Sequence, residues 1–96
     1  MKLLSILPST KEDKKLMAKF ETDTGRTKLV HFGASGMDDY TISKDKEQRE
    51  RYRTRHKKDL ESNDPTRAGY LSYYILWGDS TSRQANIASY KKRFNL

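Results

Sequence analysis

The stretch Arg49-Glu50-Arg51-Tyr52-Arg53-Thr54-Arg55-His56-Lys57-Lys58 carries six strong bases and one acid. Guanidinium and ammonium groups at this density neutralise phosphates, release counterions and give a salt-sensitive, largely sequence-blind affinity for a polyanion. On a helix, Tyr52, His56 and Leu60 fall at i, i+4 and i+8 and face a core. Lys46, Arg53 and Lys57 then lie on one outer side, and Arg51, Arg55 and Lys58 on another. Lys91, Lys92 and Arg93 form a second cluster, with Arg83 earlier on the same segment, and two such patches on one face favour a binding role. The competing reading is a solvated helix laced by Asp45 with Arg49 and Glu47 with Arg51, each four apart.

His31, His56 and the pair Asp38-Asp39 are the other residues with chemical potential, since imidazole and carboxylate together bind a divalent ion or move a proton. Their spacing follows no metal or nucleophile motif, and Gly33-Ala34-Ser35-Gly36 reads as a turn rather than a phosphate cradle. The expectation is no catalytic residue, no metal and no cofactor, with His56 hydrogen-bonded to a hairpin or to the Asp38-Asp39 loop. Tyr70, Tyr73, Tyr74 and Trp77 recur at helical spacing and read as core, not as a base-stacking platform.

These side chains need elements to hold them. Leu16, Ala18 and Phe20 alternate with Met17, Lys19 and Glu21, the period of a half-buried strand, and a second strand follows at Thr27 to Phe32. A three-residue loop, Asp23-Thr24-Gly25, pairs Thr22 with Arg26, Ala18 with Val30 and Leu16 with Phe32, which collects the apolar residues on one face. Leu3 to Leu7 forms an N-terminal strand or docking arm within residues 1–14, and Met37 to Ile42 is a loop or a short strand. Ser43 caps a basic helix from Lys44 to Lys58. Asp64 caps a core helix with Pro65 at its first position and Gly78 beyond its end, and Asp79 to Ser82 offers caps for a last helix. The spacing predicts an α+β domain over residues 15–96: a β-hairpin, possibly a three-stranded antiparallel sheet, on two or three helices. Its core is Phe20, Val30, Phe32, Leu71, Ile75, Trp77, Ile87 and Phe94.

With 96 residues the chain has the size of one domain, which buries roughly 60 to 70% of its unfolded surface. Apolar residues make up 33% and charged ones 34%, near the disordered regime, but six Tyr, three Phe and one Trp supply a core. The 20 Lys and Arg against 13 Asp and Glu leave a charge of +7, pointing to phosphate-rich or acidic partners. No Cys is present, which removes disulfides, thiolate metal sites and cysteine nucleophiles and suits a reducing compartment. The apolar start, Met1 to Leu7, stops at Pro8, too short for a signal or a membrane span, so no membrane partner is expected.

Lys28-Leu29-Val30-His31-Phe32-Gly33, Gly36 with Asp39-Tyr40-Thr41, Arg51-Tyr52 with Arg55-His56-Lys57-Lys58, Asp64-Pro65 with Ala68-Gly69, and Ile75 to Ser80 together resemble a small uncharacterised family. Its members are encoded by large DNA viruses of algae and amoebae. The resemblance runs over about residues 15 to 94, and Met1 to Lys14 departs from it. It implies a protein of the infected host cell interior, with packaging in the virion as the further expectation, and carries over no activity. The first functional expectation is a non-enzymatic nucleic-acid-binding protein, with DNA ahead of RNA. Arg49, Arg51, Arg53, Arg55, Lys57 and Lys58 contact phosphates, and Lys91, Lys92 and Arg93 assist. The alternative is a virion structural or minor capsid protein that meets an acidic protein surface through Tyr40 or Tyr73. A metal-dependent nuclease using His31, His56 and Asp39 is the third.

Overall fold

A computed structural model describes residues 1–96. Three strands, β1 (Lys2–Pro8), β2 (Lys14–Glu21) and β3 (Thr27–Ala34), form an antiparallel open sheet in the order β1-β2-β3. The β2–β3 turn has the expected loop. Gly25 sits at φ +81°, the Thr22 amide donates to the Arg26 carbonyl at 2.8 Å, and Ala18 pairs with Val30 and Leu16 with Phe32. The N-terminal segment is a strand and not a free arm: Leu3 pairs with Phe20 and Ile6 with Ala18, with the register shifting between Leu3 and Ser5.

Four helices follow, α1 (Tyr40–Ser43), α2 (Lys46–His56), α3 (Ala68–Leu71) and α4 (Arg83–Arg93), so the chain is an α+β fold. A 3₁₀ segment, Lys57–Ser62, prolongs α2, and α3 widens into a π-turn over Ser72–Leu76. That π-turn and α3 lie on the inner face of the sheet, and α4 packs on the π-turn. Leu3, Ala18, Phe20, Phe32, Leu71, Ile75, Leu76 and Tyr90 form the most buried layer. Of the expected core, Val30, Ile87 and Phe94 are only half-buried and pack at its margin, while Tyr90 takes the central position on α4. The outer sheet face has no helix over it, and Leu4, Leu7 and Leu29 remain about half exposed there.

Local signals misplace three boundaries. Residues 37–42 contain neither a plain loop nor a strand: Asp39 caps the short helix α1, accepting from the Thr41 amide at 2.9 Å. Ser43 therefore ends α1 instead of starting α2. Lys44 turns left-handed, and Asp45 becomes the α2 cap by accepting from the Glu47 and Gln48 amides. Asp64 does not start the core helix either. Its carboxylate closes a turn on the Thr66 amide and hydroxyl at 3.0 and 2.6 Å, and α3 begins at Ala68. Ser82 does cap α4, through the Ala85 amide.

Candidate functional site

Helix α2 has two chemically different flanks although its sequence repeats one residue type. Arg49 and Arg53, four apart and one turn removed, point inward to the end of the π-turn. Arg49 donates from Nε to the Gly78 carbonyl at 2.6 Å and from a terminal nitrogen to Asp79 at 2.7 Å. Arg53 donates to the Trp77 carbonyl at 3.0 Å and lies 4.4 Å over the Tyr73 ring. Carbonyls at a helix end lack intrahelical donors and attract cations, and a planar guanidinium satisfies both needs while stacking on an aromatic face. Arg53 is therefore not on an outer side as the helical wheel suggested. Asn86, buried on α4, completes the brace by donating to the Ile75 and Ser80 carbonyls and accepting from the Ser80 amide. A Cβ at Gly78 would sit 2.1 Å from the Tyr74 carbonyl, so glycine is required where this turn closes.

The remaining cations of α2 and of the 3₁₀ segment are free. Lys46, Arg51, Arg55, Lys57 and Lys58 are exposed and form no ion pair with any carboxylate. The helix-surface pairs Asp45–Arg49 and Glu47–Arg51 do not form; Arg49 instead engages Glu50 and Asp79. Arg51 and Arg55 overhang a cleft of about 580 Å³, bounded on the opposite side by Lys14, Gly33, Ala34 and the Met37–Asp39 segment, and floored by Ala68, Gly69 and Ser72. Gly33 matters to its shape, because at φ +79° a side chain is strained and a Cβ would lie 2.6 Å from the Leu76 side chain, which would have to shift.

One wall of the cleft is an aromatic stack. Tyr52 lies between His56 and Trp77, with centroids 4.2 and 4.3 Å away and planes inclined by 25° and 9°. Burial first, then the Asp59 carboxylate, push the Tyr52 phenol up to about 12, so it stays protonated. His56 ends the stack on its more exposed side, and its Nδ1 is 3.1 Å from Asp59, not from the hairpin or the Asp38-Asp39 loop as expected. Gln48 lines the same cleft, and its Oε1 is buried without a hydrogen-bond partner.

The acid at the head of the cleft is already used. Asp39 is 1% exposed and receives Lys15 at 2.6 Å, Arg83 at 3.2 Å and the Thr41 hydroxyl. Burial works to raise its carboxyl, but the Lys15 and Thr41 hydrogen bonds and the Lys15 and Arg83 charges outweigh this and hold it below the usual carboxylate range. His31 is elsewhere: it pairs with Met17 on the outer sheet face and meets Ser9 Oγ at 2.7 Å, so the expected trio of His31, His56 and Asp39 is not brought together. No three His, Asp or Glu side chains converge as a metal site.

The C-terminal cations are also apart from α2. Lys91 and Lys92 border Met1, Lys2 and the Glu21–Asp23 end of β2, whereas the cleft opens at the Lys14 end of that strand, about 24 Å away for seven steps of 3.4 Å. Arg93 lies 5.0 Å over the Tyr74 ring, and Arg83 is held at Asp39. Sequence reasoning missed the cleft because its walls come from five separate segments. It missed the Arg49 and Arg53 brace because a wheel shows which side faces inward only once the neighbour is known.

No helix is long and apolar enough to cross a membrane. No curated protein and no solved structure matches the chain. The pattern of the family of unknown function DUF5754 matches residues 4–56. The match starts within β1, inside the segment expected to depart from the family, and takes in the sheet, Asp39 and the whole of α2 with both of its arginine pairs. On that match, the chain belongs to the DUF5754 family, whose shared stretch contains the cleft's upper walls and its overhanging cations.

Proposed function

We infer that this is a small basic nucleic-acid-binding protein, non-enzymatic and, as the family resemblance implies, virus-encoded and made in the infected cell. The observation that carries it is the set of exposed cations on α2 and the 3₁₀ segment that prolongs it: Lys46, Arg51, Arg55, Lys57 and Lys58 have no carboxylate partner, beside two arginines whose charge is taken up by the fold. The four-apart pairs that would lace the helix, Asp45 with Arg49 and Glu47 with Arg51, do not form, which leaves these cations available to an external anion. Phosphates supply the missing counter-charges, and the contacts are sequence-blind because no base edge is required.

Salt titrations of binding to duplex and single-stranded DNA and RNA test this. Affinity for duplex is expected to fall by a log–log slope of about 0.9 per phosphate contacted, and Arg51→Ala with Arg55→Ala and Lys58→Ala should flatten that slope by two to three contacts (roughly 1 unit of slope each) without unfolding the domain. Absence of binding to every nucleic acid at low salt would sink the reading.

The second reading is a virion protein docked on an acidic partner: the free cations supply the charge, and the uncovered outer sheet face, with Leu4, Leu7 and Leu29, an apolar contact. Tyr40 and Tyr73, expected at such a contact, are buried and do not serve it. A stoichiometric, nuclease-resistant complex with a capsid protein would support that reading.

A further inference from the structure

We propose that the cleft beside α2 seats one unpaired nucleotide, so that the protein prefers single strands to duplex. This rests on the reading of α2 as a phosphate-contacting helix, and adds to it a place for the base. The cleft, about 580 Å³, lies within the roughly 300 to 1,000 Å³ of small-molecule sites. Its chemistry divides as a nucleotide's does. Arg51 and Arg55 at the mouth, with Lys14 opposite, face two carboxylates without a cationic partner, Asp38 and Asp59, because Lys15 is held by Asp39 and His56 only hydrogen-bonds Asp59. That leaves a surplus of positive charge for a phosphate. The wall beside Gln48 is the edge of the His56–Tyr52–Trp77 stack, against which an unpaired base packs within the cleft.

Gln48 supplies the second observation. Buried acceptors are normally satisfied, and Gln48 Oε1 has no donor. A turn of the amide about its last, soft torsion presents that oxygen to the cleft, where the exocyclic amino group of adenine, cytosine or guanine can donate to it. A paired base cannot enter, because its amino group and its stacking faces are occupied in the duplex. The base must be unpaired, as at a single strand, a strand end or a free mononucleotide.

The test compares the full chain with a labelled single-stranded 20-mer (a length of roughly the span of several single-strand sites), the same sequence as duplex, and adenosine and cytidine monophosphate alone. Single strand is expected to bind about tenfold tighter than duplex at matched salt, in line with about 1.4 kcal/mol from one buried hydrogen bond. The Gly69 and Ala34 amide resonances and the Trp77 indole should move with single strand. Gln48→Leu should remove most of that preference while leaving duplex affinity as it was. Ala34→Trp, at the exposed rim, should do the same by filling the mouth, and guards against a folding defect in the first variant. If mononucleotides alone move these resonances and no strand binds, the cleft is a free-nucleotide site and the α2 reading fails while the cleft assignment stands. Equal affinity for single strand and duplex with silent cleft resonances overturns the proposal and leaves the α2 reading intact. Resonances that answer an Asp/Glu-rich peptide but no nucleotide overturn it in favour of an acidic protein segment.

Discussion

Four arginines on one helix divide into two pairs by what lies opposite them. Arg49 and Arg53 meet carbonyls at a helix end, and Arg51 and Arg55 meet solvent over a cleft. The division predicts opposite phenotypes from identical substitutions. Arg49→Ala and Arg53→Ala should each lower unfolding free energy by about 1.5 to 3 kcal/mol in urea titration, the range for hydrogen bonds to a charged group, with part of the loss for Arg49 falling to solvent screening at the exposed Asp79. Arg51→Ala and Arg55→Ala should stay within about 0.5 kcal/mol of the parent while weakening nucleic-acid binding. The reverse pattern would show that the inner pair is the contact surface. Sequence could place all four on one helix, because the caps and the charge density are local. It could not separate them, because the Trp77-Gly78 carbonyls that claim two of them arrive from residues more than twenty positions away.

At the scale of elements, the hairpin and α4 were legible since each is fixed by neighbours in sequence: Gly25 at the turn, alternation in β2 and β3, and Ser82 at a cap. The segment between β3 and α2 was not. Its conformation is set by Asp39, whose partners Lys15 and Arg83 lie on β2 and α4, so the pattern around it has no local period. That three-element junction carries a pH signature. The Asp39 carboxyl is depressed in the folded chain, so its contribution is present above the unfolded value and disappears as pH falls through the folded one. Asp39→Ala is expected to cost about 3 kcal/mol at pH 7, since it strands two cations. Measured by urea midpoints, the difference from the parent should begin to shrink below about pH 4, where the unfolded chain's carboxyl protonates, and disappear only once pH has fallen through the lower folded value. A difference that does not change with pH would show that Asp39 acts by packing alone.

Across the whole molecule, the α+β class and the single sheet follow from composition and alternation, whereas the relation between the two basic clusters does not, because it depends on how α4 returns along the sheet. The structure sets them toward opposite ends of β2, a strand about 24 Å long. A protein with one cationic pole merely coats a polyanion. One with a pole at each end is divalent and ties two strands, or two stretches of one strand, together. Mixed with long DNA, this chain should therefore raise turbidity near charge equivalence and clear again when either component is in excess. Replacing Lys91, Lys92 and Arg93 with Ala should abolish the turbidity while leaving attachment at α2 in place; turbidity that survives this change would mean that α2 alone brings strands together. If both poles bind phosphate, the span of a single strand of the sheet bounds the spacing at which they would hold it.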